Sequence, residues 1–248
     1  MRTCIFCGER ANTLEDAWPQ WLLASIGDCH PRSTTEALLA PDRPPINWLG
    51  PEVKIKCVCK TCNNGWMSKL EAKAKRSLAS LLNDLALPLN SNEQLCLSLW
   101  STKTAMVFEQ TSRAQAPFYS KADRNRLRSG ELPPLTTIWI GRYGQSNMLY
   151  GEARKLYERT SRNDNPFCDG HATTFVIRRL VIQALTLRVK PAFENRDVTL
   201  HIKPGPWDYS LIQLWPIANQ VVKWPPELSF DNSTISCEDL SRRFVADR

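Results

Sequence analysis

The sequence predicts an α+β fold in two parts, a cysteine-built N-terminal module followed by helices and an antiparallel β-sheet. Three observations carry this. Two C-x-x-C pairs, Cys4-Ile-Phe-Cys7 and Cys59-Lys-Thr-Cys62, are separated by a long insert. From Asn63 to Leu87 apolar residues recur at helical spacings of three and four. After Pro133-Pro134 the segments become β-branched and aromatic, with turn residues between them. The implied division is residues 1–88, with a proline-rich insert at 31–52, and residues 89–248.

The elements follow in order. Residues 1–16 read as a knuckle and a short hairpin. Glu15-Asp16-Ala17-Trp18-Pro19-Gln20-Trp21-Leu22-Leu23 opens a short helix or turn. Pro31, Pro41, Pro44, Pro45 and Pro51 mark a loop insert. Val53 to Cys59 alternates with period two, placing Val53, Ile55, Cys57 and Cys59 on one face and Lys54 and Lys56 on the other. The long helix from Asn63 carries Met67, Leu70, Ala74, Leu78, Leu81, Leu82 and Leu85 on its apolar face, and Pro88 ends it. A second helix is expected from Ser91, capped by Ser91 and Gln94, to about Gln110. A third, basic helix spans Lys121 to Ser129. Strands are expected at Thr136–Tyr143, Thr173–Val189, Val198–Ile202 and Leu211–Trp215, with a closing helix over Glu238–Val245.

Composition sets bounds. The 248 residues are 42% apolar and 23% charged, enough for a sizeable core. Charge interrupts every long apolar stretch, so no membrane span is read. The start runs directly into Cys4 without an apolar signal segment, which implies a cytoplasmic protein with reduced or metal-bound cysteines. The net charge of +7 is uneven. Residues 1–51 hold four basic and six acidic groups, residues 52–87 seven against three, and residues 113–162 ten against four. That asymmetry suits a polyanion such as DNA, and it is also what a solvated basic face looks like.

Two C-x-x-C turns supply four thiolates, the ligand set of a tetrahedral zinc site with no open position. The ligands read here are Cys4, Cys7, Cys59 and Cys62, around a structural Zn²⁺. Cys57 competes with Cys59 because both leave the same strand face, and Cys59 is preferred for its spacing to Cys62. Cys29, Cys96, Cys168 and Cys237 are isolated packing residues. Trp18, Trp21 and Trp66 are expected to pack the small module.

A knuckle, a strand pair and a helix opened by the second C-x-x-C form a treble clef. With Glu15-Asp16-Ala-Trp-Pro19 between the pairs and Asn63-Asn64-Gly65-Trp66 after them, residues 1–75 resemble the cysteine-containing branch of the HNH endonucleases. The resemblance implies a ββα module in which Glu15 ligates a catalytic divalent metal and Asn63 or Asn64 completes the site. Asp16 stands where that family keeps its general-base histidine. An aspartate is a weak base at its ordinary pKa of about 3.9. Beside Glu15 and an amide oxygen it makes an oxygen-rich site suited to Mg²⁺ or Mn²⁺. His30 and His171 are candidate surrogate bases.

Three readings follow. The first is a divergent, metal-dependent HNH-like endonuclease acting on DNA, with Glu15, Asp16 and Asn63 as its site. The second is a non-catalytic, zinc-stabilised module that binds nucleic acid or protein. The third is a metal-dependent enzyme that uses the same pocket on a small molecule. The bland alternative for Glu15-Asp16 is a solvated turn.

Overall fold

A computed structural model describes residues 2–26, 30–35, 46–48, 54–111, 117–144, 148–157, 168–191 and 210–230. The fold is α+β. Strand β1 (Thr13–Asp16) pairs antiparallel with β4 (Lys54–Val58), with a bulge between Thr13 and Glu15. The predicted alternation holds on β4, where Ile55 and Cys57 are buried while Lys54 and Lys56 are exposed. Helix α1 (Gln20–Ile26) follows β1 and buries Leu22 and Ile26.

The long helix differs from expectation at both ends. It opens at α2 (Lys60–Cys62), passes through a π-type turn at Asn63–Met67 that breaks at Gly65, and continues as α3 (Ser68–Leu82). It stops before Pro88, where Asp84 adopts a left-handed backbone with φ 60°. Leu87–Asn90 instead forms β5, which pairs with β11 (Val221–Trp224) and places Pro88 opposite Lys223. A strand edge tolerates a proline that a helix interior does not.

Helix α4 (Ser91–Phe108) starts one residue earlier than read: Asn90, not Ser91, is the N-cap, and Glu93 closes the capping box. A 3₁₀ turn continues it over Glu109–Thr111, and α5 (Lys121–Arg128) is capped by Ser120 with Asp123. From Leu97 to Phe108 almost every residue of α4 is buried. Its hydroxyls are satisfied within the helix, as Ser98, Ser101, Thr102 and Thr104 each donate to the carbonyl four residues back.

The main sheet has eight strands in the order β10-β6-β9-β8-β7-β2-β3, with β12 (Ser229–Phe230) also on β6. Its centre is antiparallel: β6 (Thr136–Tyr143), β7 (Met148–Tyr157), β8 (Cys168–Ile177), β9 (Leu180–Val189) and β10 (Leu211–Trp215). Three expectations need correction. The stretch Thr173–Val189 is two strands, folded at Arg178, whose φ is 52°. The segment Met148–Tyr157, not read as a strand, pairs along its whole length with β8. The insert at 31–52 is not only loop: β2 (His30–Thr35) and β3 (Ile46–Trp48) join the sheet, and β2 runs parallel to β7. The expected strand Val198–Ile202 and closing helix Glu238–Val245 lie outside the described residues.

Both faces of the sheet are covered. On one, Trp18, Phe108 and Phe175 pack ring to ring at centroid distances of 5.1–5.9 Å, fastening the β1–α1 connection, α4 and β8 together. On the other, Tyr143, Tyr150, Val176, Val181 and Phe230 form a second apolar cluster. The first cluster runs from Cys4 through α3 and α4 to Trp224, so the cysteine module and the sheet share one core. No helix among the described residues is long and apolar enough to cross a membrane.

Candidate metal centre

The first cysteine pair sits on a tight turn. Cys4 N–H donates to Glu9 O at 2.6 Å and Gly8 N–H to Cys4 O at 2.9 Å. Gly8 has φ +82°, a backbone region that disfavours any side chain there. The second pair caps a helix: Cys59 is the N-cap, and its sulfur accepts from Cys62 N–H at 3.4 Å. Ile5 N–H donates to Cys57 O at 2.9 Å and ties the knuckle to β4.

These turns bring together the Sγ atoms of Cys4, Cys7, Cys59 and Cys62, all within 4.8 Å of one another. Cys7 and Cys59 are 3.5 Å apart. A tetrahedral S₄ zinc site with Zn–S bonds of about 2.3 Å sets its sulfurs about 3.8 Å apart, so four ligands at these separations can hold a zinc ion. Burial raises the Cys59 thiol, but the Cys62 N–H and the neighbouring thiols outweigh it and bring the pKa down to about 7. Burial pushes the Cys62 thiol up, with Trp66 pulling the other way. The Trp66 Nε1 is buried outside ordinary hydrogen-bond geometry, yet it lies near enough to the Cys62 sulfur to favour a thiolate there. Trp66 also packs edge-on against Phe6 at 4.9 Å.

Cys57 is outside this group. Strand β4 ends at Val58, so Cys59 leaves the strand while Cys57 stays in it, buried. Burial first, then the charges of Glu15 and the neighbouring Cys4, push its thiol up to about 12. Cys96 and Cys168 are likewise outside, and Cys29 and Cys237 lie outside the described residues.

The residues carried over by resemblance have different partners. Asn63 lies on the helical turn after Cys62, and its Nδ2 donates to Thr13 Oγ1 and Leu14 O, both at 3.4 Å. Asn12 Oδ1 caps Lys60 N–H at 2.8 Å, so β1 is strapped to the second knuckle. Asn64 is exposed. Glu15 turns inward and is 7% exposed. Its Oε1 meets Lys103 Nζ of α4 at 3.3 Å, and Lys103 is 1% exposed. Burial raises the Glu15 carboxyl, while Lys103 acts in the opposite direction. Asp16 is half-buried, and its Oδ1 is buried with no hydrogen-bond partner.

His171 sits elsewhere, on β8 in the sheet interior. It stacks on Phe118 at 5.7 Å and lies against Tyr119 at 5.1 Å. Burial, reinforced by the Lys155 charge, lowers its pKa to about 3, so it is neutral at physiological pH. His30 opens β2, and its side chain is outside the described residues.

Lys103 escaped sequence reasoning, although it is the only charged residue in the run Leu95–Phe108. A lone lysine in an otherwise uncharged helix predicts an internal partner. A second buried pair, Arg124 to Glu109 at 3.1 Å, joins α5 to the end of α4. The chain matches no family model, no curated protein and no solved structure.

Proposed function

We propose that this protein is a zinc-stabilised nucleic-acid-binding protein built on an HNH-like treble clef, with the catalytic position of that module closed by an internal ion pair. The four cysteines are its zinc ligands. A sphere filled by four thiolates has no open position, which makes the role of the zinc structural. The observation that carries the reading is Glu15–Lys103. A carboxylate that ligates a catalytic divalent cation must face solvent and substrate. Glu15 faces the core and has an ammonium as its partner. The charge of the surrounding surface supports the binding role. Arg10, Lys54, Lys56, Lys60, Lys73 and Arg76 are all exposed on or beside the cysteine module, as phosphate contact requires.

The test is a binding and cleavage assay on zinc-loaded protein with plasmid and short duplex DNA, with and without Mg²⁺ or Mn²⁺. Binding that weakens steeply with salt and gives no cleavage is expected. Metal-dependent cleavage that Glu15→Ala abolishes would overturn the reading in favour of an endonuclease. That second reading has one observation of its own: the unpartnered Oδ1 of Asp16 on the strand that Asn63 grips. For the nuclease, Asp16→Asn abolishes cleavage; for the binder, it leaves DNA affinity unchanged.

A further inference from the structure

We propose that the outer face of α3 is the surface that takes the phosphate backbone, through Lys69, Lys73 and Arg76. The inference rests on the nucleic-acid reading above and deepens it by naming the contact surface. The three residues stand at positions i, i+4 and i+7 and so share one line along the helix. All three are exposed. Lys69 and Arg76 are about 10 Å apart along the axis, a span that equals about three charges of one strand measured along the duplex axis. Ala72, also exposed, lies between them, so the backbone of α3 can approach closely.

Three further observations single out this line. First, none of the three cations belongs to an ion pair among the described residues. Two of the three arginines of α5 differ: Arg124 is buried against Glu109, and Arg126 pairs with Glu131 at 3.0 Å. The helix whose sequence is denser in arginine therefore offers fewer unengaged charges. Second, the acids of α3 and of the segments that follow it are engaged elsewhere. Glu71, the only acid of α3, accepts from Trp21 Nε1 at 3.0 Å, Asp84 pairs with Arg142, and Glu93 closes the cap of α4. Third, the line carries no large apolar side chain, because Leu78, Leu81 and Leu82 are buried. A surface that inserts into lipid needs such side chains next to its cations. A surface that follows a phosphate backbone does not.

The experiment uses the full-length, zinc-loaded chain and a 20-base-pair DNA duplex, with affinity measured across a salt series. The triple variant Lys69→Gln, Lys73→Gln, Arg76→Gln should bind roughly 100-fold more weakly at about 0.1 M salt. The slope of log affinity against log salt should fall by about 2.7, or 0.9 per lost contact. Lys121→Gln with Arg128→Gln on α5 should leave affinity within about twofold and the slope unchanged. Each single substitution should lower the slope by about 0.9, which keeps the test decisive should the triple variant fold poorly. A triple variant that binds like the unaltered chain overturns the surface and leaves the nucleic-acid reading standing. An unaltered chain that does not bind the duplex at low salt overturns both. Binding to poly-glutamate as tight as binding to the duplex overturns the partner class, because the line would then be reading acidity alone.

Discussion

Lys103 and Glu15 are each costly to bury alone and tolerable together. Two ions leave water for the core, and their attraction offsets that loss only while both are present. Lys103→Met should therefore cost about 3–5 kcal/mol, because it strands the Glu15 charge. Adding Glu15→Gln should recover most of that loss, since no bare charge then remains. Urea unfolding of the two single variants and the double variant checks this, and additive costs would show that the pair is not coupled. His171 makes a pH-dependent contribution with a definite sign. Its folded pKa, about 3, lies below the ordinary value of 6.5. The stability it contributes is full above pH 6.5 and is lost as pH falls toward 3. Glu15 and Glu109 shift the opposite way, raised by burial despite Lys103 in the first case and despite the Phe118 N–H and Arg124 in the second. Their contribution is full below the ordinary carboxylate range and declines as pH rises through their raised values. The stability gap between the unaltered chain and His171→Gln should narrow from pH 7 to pH 5. A gap that stays constant would assign His171 a packing role alone.

At the scale of elements, α4 and β7 show what close packing demands. Gly151 on β7 lies under Trp18 and Phe108, and a Cβ there would meet the Trp18 ring at 2.8 Å and Phe108 at 3.0 Å. Gly151→Ala should cost about 1–3 kcal/mol, because both rings are held in one aromatic cluster and cannot yield independently. A thermal melt reads this, and Ala153, buried two positions further along the strand, shows that β7 itself accepts alanine. Asn90 ends β5 and caps α4, so Asn90→Ala should cost about 1 kcal/mol by freeing the N–H groups of Asn92 and Glu93. Arg178, at the turn between β8 and β9, donates to Ser25 O at 3.0 Å and Asn83 Oδ1 at 2.8 Å. It joins the ends of α1 and α3 to the sheet, three elements distant in sequence.

For the whole molecule the central prediction is one tightly held zinc per chain, read by metal analysis of the purified protein. Cys4→Ser or Cys62→Ser should lose it, and Cys57→Ser should keep it, because Cys57 is not part of the four-sulfur group. Since the cysteine module shares its core with the sheet, chelation should lower the melting temperature of the entire chain rather than release one segment. Two separate transitions would show that the module unfolds by itself.

Legible in the sequence were the four cysteines that come together, the strand that leads to the second pair, the main helices and several strands of the sheet. These rest on local rules: ligand spacing, a period of two, a period of three to four, and capping residues. The cap of α4 was displaced by one residue because Asn90 and Ser91 can each serve, and the choice falls on the one that β5 delivers. Pro88 reads as a helix stop because nothing local reveals that Val221–Trp224 will pair beside it. The strands His30–Thr35 and Ile46–Trp48 were hidden for the same reason, since prolines among polar residues mark a loop until a neighbouring strand supplies hydrogen bonds. The partner of Glu15 comes from a contact distant in sequence. Glu15 is the buried position of β1, and α4 places Lys103 against it, a partner 88 residues away. Helical and strand periodicity report which faces are buried. They do not report which charges meet across a core, and that meeting sets the reading of this site.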